Sequence, residues 1–335
     1  MINFAVIGTN KITEEFLKGA KLLKDFKLKA IYSRNIETAK AFAHKYEVTD
    51  TFTDLEAMAK CDSIDAVYIA SPNSLHAQQA ILFLENGKHV LCEKAVASNV
   101  RELEAMIAAA KANKVLLMEA MKTSFLPNFK AIEGNLHKLG RIRRFIFSYC
   151  QYSSRYDSFK EGKPVNTFDP RFSNGSIMDI GVYCVHPAVR MFGIPKTINA
   201  TALKLSSGVD GQGILNLGYE AMDGTILHSK IANSYIPCEI QGEAGTMIID
   251  KINNTEEVRI IYRDGKIEDL TVPQIKENMY YETEEFINLI NSGKLESEIN
   301  SYSQSLKVMK VMEEARLQTG IVFPADSSAL AKQQF

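Results

Sequence analysis

The chain has 335 residues, a formal net charge of −1, and 39 basic and 40 acidic side chains that form no long runs of either sign. That balance excludes nucleic acid and anionic membrane surfaces as implied partners, and the length predicts roughly two domains, each able to bury a core. The start, Met1-Ile2-Asn3-Phe4-Ala5-Val6-Ile7-Gly8, has neither the basic region nor the long apolar stretch of a signal peptide, and no later stretch reads as a membrane span. The five cysteines make no CxxC pair and the six histidines no HxxxH pair. Cys61, Cys92, Cys150, Cys184 and Cys238 therefore read as reduced thiols, no metal is expected, and the expected location is the cytoplasm.

Asn3 to Ile7 predicts a short apolar strand, Gly8 a turn, and Ile12, Phe16, Ala20 and Leu23 a helix. Strand, glycine turn and helix suit a phosphate, because N–H groups at a helix start point at the anion and the helix dipole adds to the attraction. Gly8, Thr9, Asn10, Lys11 and Ile12 are the candidate contacts. Of the G-x-G-x-x-G/A fingerprint only Gly8 is present; Asn10 and Thr13 replace the later small residues. Asn tolerates left-handed backbone angles, so the turn can survive, and its side chain is expected to crowd a pyrophosphate. By itself the motif fits a dinucleotide site and an ordinary strand-to-helix turn equally. The second strand, Leu28 to Tyr32, ends in Ser33-Arg34-Asn35, where an NAD-specific fold usually carries an acid. A hydroxyl and a guanidinium can donate to a 2′-phosphate, so NADP(H) is expected over NAD(H). The alternative is a solvated Arg34 stacked on adenine.

A helix follows with Ala39, Phe42, Ala43 and Tyr46 on one face, then the buried strand Asp65 to Ala70, which runs into Ser71-Pro72-Asn73. The next helix, marked by Ala77, Ala80, Ile81 and Leu84, ends at Gly87. The strand Lys88 to Cys92 then stops abruptly on Glu93 and Lys94. Open α/β sheets keep their ligands at the C-terminal ends of parallel strands, so Lys94 reads as an active-site lysine. A surface Glu-Lys pair is the alternative, and the βαβ spacing around it argues against that. Leu103, Met106, Ile107 and Ala110 mark another helix and Val115 to Ala120 another strand. The expected fold class is α/β, a doubly wound parallel sheet over residues 1–120.

Residues 121–335 are expected to form an α+β domain with a large, mainly antiparallel sheet. Arg141 to Arg155 alternates Phe145, Phe147 and Tyr149 with Ile146, Ser148 and Cys150. Further strands are expected near 197–206, 213–221, 224–232, 236–250 and 257–264, with Asp223-Gly224 and Asp264-Gly265 as hairpin turns. If Asn174 to His186 is a helix, Asp179, Tyr183 and His186 share a polar stripe beside the apolar Met178, Val182, Val185 and Val189. The plainer alternative is that Asp179 caps, Tyr183 packs and His186 bonds a carbonyl. Helical patterns at Phe286, Leu289 and Ile290 and at Leu306, Met309, Met312 and Ala315 are assigned to packing.

The runs Ile-Tyr-Ser-Arg, Tyr-Ile-Ala-Ser-Pro-Asn-Ser-Leu-His, Gly-Lys-His-Val-Leu-Cys-Glu-Lys and Met-Glu-Ala-Met resemble the Gfo/Idh/MocA family of NAD(P)-dependent oxidoreductases. The resemblance implies that Glu93 and Lys94 lie beside the nicotinamide, with Ala95 where the family has proline. It implies that Asn73 and His76, after Ser71 and Pro72, lie near the nicotinamide ribose; a His76 that only serves the helix start is the alternative. The family's Asp-x-Gly-x-(Tyr/His) motif maps onto Asp179, Gly181 and Tyr183, with His186 a further substrate-contact candidate. Implied are a hydroxyl-bearing sugar or polyol substrate, proton handling by Lys94 and Tyr183 with Asp179 in support, and a homodimer or higher oligomer through the C-terminal sheet. Members that oxidise dihydrodiols carry an aromatic residue and an arginine where this chain has Lys122 and Ser124. The rival reading is a catalytically silent nucleotide-binding regulator on the same fold.

Overall fold

The computed structural model describes residues 1–330. The chain divides into two compact units, Met1–Lys122 with Ile275–Tyr302, and Thr123–Gln274 with the chain from Ser303 onward.

The first unit runs β1 (Ile2–Ile7), α1 (Lys11–Ala20), β2 (Phe26–Tyr32), α2 (Ile36–Tyr46), β3 (Asp50–Phe52), α3 (Leu55–Ala59), β4 (Ala66–Ile69), α4 (Asn73–Glu85), β5 (His89–Glu93), α5 (Val100–Asn113) and β6 (Leu117–Ala120). Its sheet is parallel throughout in the order β3-β2-β1-β4-β5-β6. β3 and α3, three and five residues long, are too short to show a period in the sequence. The strand order reverses between β1 and β4, which opens a crevice at the carboxyl ends of those strands. Helix starts are set locally: Asn10, Asn35, Asp54 and Asn99 each accept from N–H groups two or three residues on. A helix from late in the chain, Tyr280–Asn291, belongs to this unit. Its Phe286 ring lies 5.8 Å from that of Phe4. Gly19 permits the approach, since a Cβ there would stand 2.6 Å from the Tyr280 nitrogen.

The second unit contains α6 (Pro127–Asn135), β7 (Ile142–Cys150), α7 (Tyr156–Lys160), α8 (Val182–Phe192), β8 (Thr197–Lys204), β9 (Asp210–Gly218), β10 (Asp223–Ser229), β11 (Cys238–Gly242), β12 (Gly245–Ile249), β13 (Val258–Tyr262) and β14 (Ile267–Asp269). The helices Tyr302–Thr319 and Pro324–Leu330 follow. The eight strands are ordered β14-β13-β12-β11-β7-β10-β9-β8, antiparallel except where β7 meets β10. One face buries Phe145, Phe147, Leu215, Leu217, Ile226, Ile240, Met247 and Ile260, and Phe145 stacks on Phe192 of α8 at 5.0 Å.

Two expectations for this sheet need correction. Asp223-Gly224 is not a turn: both residues already pair in the ladder, opposite Gly218 and Leu217, and the chain reverses at Tyr219 to Met222. Gly224 is glycine because the Phe145 ring fills the place of a side chain. The segment 236–250 is two strands, β11 and β12, folded back on each other. Asp264-Gly265 does form the β13–β14 turn, with Gly265 at φ +86°.

Candidate active site

In register, Ile7 of β1 stands beside Tyr32 of β2 and Ile69 of β4, and Ile69 beside Cys92 of β5. The residues that follow, Gly8 to Ile12, Ser33 and Arg34, Ser71 to Asn73, and Glu93 and Lys94, therefore share one edge of the parallel sheet. Gly8 adopts φ +105°, and a Cβ there would lie 2.7 Å from the Ala70 carbonyl oxygen. Only glycine combines that backbone angle with that approach. Asn10 departs from expectation. Its backbone is extended at φ −95° rather than left-handed. Its Oδ1 accepts from the Thr13 N–H at 3.2 Å and its Nδ2 donates to the Ala70 carbonyl at 2.9 Å. The amide caps α1 and ties the turn to the chain just after β4. Lys11 and Ile12 occupy the first turn, whose N–H groups have no acceptor within a helix and suit a pyrophosphate. At the end of β2, Ser33 is half-buried and Arg34 exposed, with no acid between Tyr32 and Ile36. This donor set fits a nucleotide bearing a 2′-phosphate.

At the end of β5, Glu93 is buried and accepts from the Tyr68 hydroxyl at 2.5 Å. Burial raises its pKa, with the adjacent Lys94 ammonium opposing the rise. Lys94 is half-buried, and the Lys94–Ala95 peptide is cis. His76, in the first turn of α4, is wholly buried, with Nδ1 3.0 Å from the Ala95 carbonyl oxygen and Nε2 2.8 Å from that of Ser71. Burial holds its pKa down at about 4. A neutral ring has one N–H to give, so His76, lodged between the chain after β4 and the chain after β5, donates to one of these two carbonyls and not to both. Ser71 donates to Gln79 at 2.7 Å, and Asn73, which opens α4 after Pro72, is almost fully buried.

Two further charged residues, Lys122 and Glu282, lie in this unit. The Lys122 ammonium donates to Asn278 at 3.0 Å. Glu282, on the Tyr280–Asn291 helix, is wholly buried, and burial followed by the charge of Glu93 pushes its pKa well up while Lys122 opposes. Glu93, Lys94, Lys122 and Glu282 thus form one set of ionisable groups that bias one another's protonation. The position of Lys122 just past β6 was the available signal; Glu282 sits in a helix whose pattern spoke only of packing.

In the second unit, Asp179 lies on a π-helical turn, Ile177–Gly181, that runs directly into α8. Buried polar groups set this turn. Asp210 accepts from the Ile177 N–H at 2.7 Å, and Ser176 Oγ lies 2.9 Å from Nδ1 of His228. Gly181 brings the turn against the His228 ring, which a Cβ would meet at 3.3 Å. Pro187, inside α8, removes the helical hydrogen bond that the Tyr183 carbonyl would accept. Tyr183 is half-buried, its ring edge-on to Tyr149 at 5.8 Å. Asp179 forms an ion pair with Lys230, a residue absent from the sequence-based candidates. His186 does not share the stripe of Asp179 and Tyr183. It stands four residues after Val182, on the buried row, with Nδ1 3.5 Å from Ser124 Oγ, and burial lowers its pKa to about 3.

The family model for an oxidoreductase family with an NAD-binding Rossmann fold matches residues 2–121, and that for the GFO/IDH/MocA C-terminal domain matches residues 136–248. The chain is 57% identical over 328 residues to a scyllo-inositol 2-dehydrogenase (NADP(+)) of Bacillus subtilis, covering 98% of this chain and 100% of that protein. It is 48% identical to an uncharacterized oxidoreductase of Escherichia coli, covering 98% of this chain and 100% of the other. A 3-ketoreductase from Actinomadura kijaniata, solved with NADP, shares the fold at TM-score 0.82 and 22% identity, covering 95% of this chain and 97% of that one. Both halves of the sequence and the architecture of both sheets lead to one assignment: the chain belongs to the Gfo/Idh/MocA family of oxidoreductases.

Proposed function

We propose that this protein is an NADP(H)-dependent dehydrogenase of a sugar-like polyol, with scyllo-inositol the first substrate to test. The observation that carries the reading is the 57% identity, along the full length of the relative, to an NADP-dependent scyllo-inositol 2-dehydrogenase. The Ser33-Arg34 pair after β2 supports the cofactor. Oxidising a secondary alcohol removes a hydride from the carbinol carbon and a proton from its hydroxyl. The nicotinamide, when bound, accepts the hydride. The protein must hold the nucleotide, through the Gly8 turn, the start of α1, and Ser33 and Arg34, and must manage the proton. In this reading Tyr183 takes it. A free phenol has a pKa of about 10, too high for a good base at neutral pH, and a nearby ammonium favours the phenolate. Lys94 supplies that charge and donates to the developing alkoxide. Asp179 orients a substrate hydroxyl. The reading requires the Lys94 ammonium and the Tyr183 phenol to converge on one substrate oxygen.

The test is to offer scyllo-inositol, myo-inositol and simple aldoses with NADP+ or NAD+ and follow reduced nicotinamide. Turnover of a polyol with NADP+ preferred supports the reading. Tight NADP+ binding with no turnover across the panel supports the regulator instead.

The same reading includes a homodimer through the outer face of the eight-stranded sheet, in the reducing environment of the cytoplasm. Ser148, Leu227, Ile214 and Thr201 succeed one another across β7, β10, β9 and β8, and Ile261 and Ile267 pair between β13 and β14. Leu203 and Ile214 at one end of this face, and Ile261 and Ile267 at the other, are exposed, and exposed apolar side chains of this size can serve an association surface. Sedimentation as a monomer would contradict it. All five cysteines are free thiols, in keeping with that compartment.

A further inference from the structure

The geometry assigns Lys230 as the positioning residue that holds Asp179 for the substrate, an inference that rests on the role of Asp179 proposed above. Lys230 directly follows β10, and its main chain is fixed on both sides. Its N–H donates to the Gly211 carbonyl at 2.8 Å, and its carbonyl accepts from the Ser153 N–H at 2.8 Å. The side chain is 7% accessible against 32% for Asp179, and the ammonium lies 5.9 Å from the centre of the Phe168 ring. Lysine is almost never this buried unless paired, because an ammonium loses its hydration. The pair therefore has a buried, immobile member and a more accessible one.

The accessible member is held twice. Its main-chain N–H donates at 3.1 Å to the carbonyl of Gly175, which precedes the π turn, and its carboxylate is anchored by Lys230. Turns of this kind are frequent at functional sites. An aspartate with two rotatable side-chain bonds on a half-open surface would otherwise sample several rotamers; an ammonium on a fixed stem selects one. Lys230 lies too deep to be the substrate contact itself, so its effect passes through Asp179.

The experiment compares Lys230→Met, Lys230→Arg, Asp179→Asn and the Lys230→Met/Asp179→Asn double variant, assayed with NADP+ and scyllo-inositol. Lys230→Met keeps the length and packing against Phe168 and should lower kcat/KM for the polyol by about 10- to 100-fold while leaving KM for NADP+ unchanged. Lys230→Arg should recover most of the loss. The double variant should be no worse than Asp179→Asn alone, because both changes remove one interaction. Wild-type kcat/KM in Lys230→Met, or losses that multiply in the double variant, would overturn the assignment. Crystal structures of wild type and Lys230→Met give a reading that does not need turnover. A displaced Asp179 carboxylate in the variant supports the assignment and an unmoved one overturns it. If wild type oxidises no member of the polyol and aldose panel, the functional reading is what has failed, and the crystals still decide the role of Lys230.

Discussion

Lys94 and Asp179 are held by different means. Lys94 sits where parallel-sheet topology puts it, at the end of a buried strand, between a carboxylate bonded to Tyr68 and the Ala95 carbonyl that lies 3.0 Å from the His76 ring. Asp179 sits on an irregular turn whose shape and charge depend on side chains from β9 and from the end of β10, Asp210, His228 and Lys230. A site set by strand order tolerates many substitutions around it. A site set by individual buried polar partners is open to disruption by any one of them.

The sharpest way to break this comparison is at the groups themselves. Lys94→Ala is expected to reduce turnover by roughly 100-fold or more while NADP+ still binds, since the strand end that carries residue 94 is unchanged. Near-normal turnover would remove Lys94 from the chemistry. Next is the turn that topology depends on most. Gly8→Val places a branched side chain at φ +105° against the Ala70 carbonyl, so a loss of about 1–3 kcal/mol in stability is expected, together with weaker NADP+ binding. Urea unfolding and a cofactor titration measure both, and wild-type values would show that the turn accepts a side chain. A smaller effect is expected at the edge of the nucleotide site. Arg34→Glu should cut the preference for NADP+ over NAD+ by about 10-fold, equivalent to about 1.4 kcal/mol. An unchanged ratio of kcat/KM values would leave Arg34 without a role in recognising the phosphate.

The smallest effect spans both regions and is read in pH. Burial lowers the pKa of His76 from 6.5 to about 4, and those of His186 and His228 to about 3. Between those values the unfolded chain binds protons that the folded chain refuses, so the stabilisation is complete above pH 6.5 and is lost as pH falls towards 4. Asp210 runs the other way: raised from 3.8 to about 6 by burial, it adds stability at low pH that is lost as pH rises through 6. Glu93 and Glu282, raised by burial, run with Asp210; the three imidazoles are joined by Asp157, Asp169 and Asp223, whose partners hold their carboxyls low and whose contribution is also lost as pH falls, so the melting temperature should drop between pH 6.5 and 4. A rise over that range would mean that these rings are charged in the folded protein.

The same contrast explains what could be read from the sequence. Gly8, the strand ending on Glu93 and Lys94, and the alternation of apolar strands with helices are local patterns with physical meaning in a parallel sheet. The second unit was less legible because its features depend on distant partners. Asp223-Gly224 has strong turn chemistry, yet the Phe145 ring claims the space beside Gly224 and the turn forms earlier. The π turn has no pattern of its own; it follows from Asp210, Ser176 and His228. Lys230 carries no mark that would pair it with Asp179, and the polar-stripe argument misplaced His186 because it lies in line with Val182. Asn10 was read as a backbone substitute for glycine, whereas its side chain does the work of a cap.

The central claim is that a phenol from the second unit moves the substrate proton during NADP-linked oxidation of a polyol. The direct measurement is the initial rate of NADPH formation from scyllo-inositol by wild type and Tyr183→Phe, with the NADP+ dissociation constant of each. The account predicts turnover in wild type, a fall of about 100-fold or more in the variant, and equal cofactor affinity. A Tyr183→Phe rate close to wild type would contradict it.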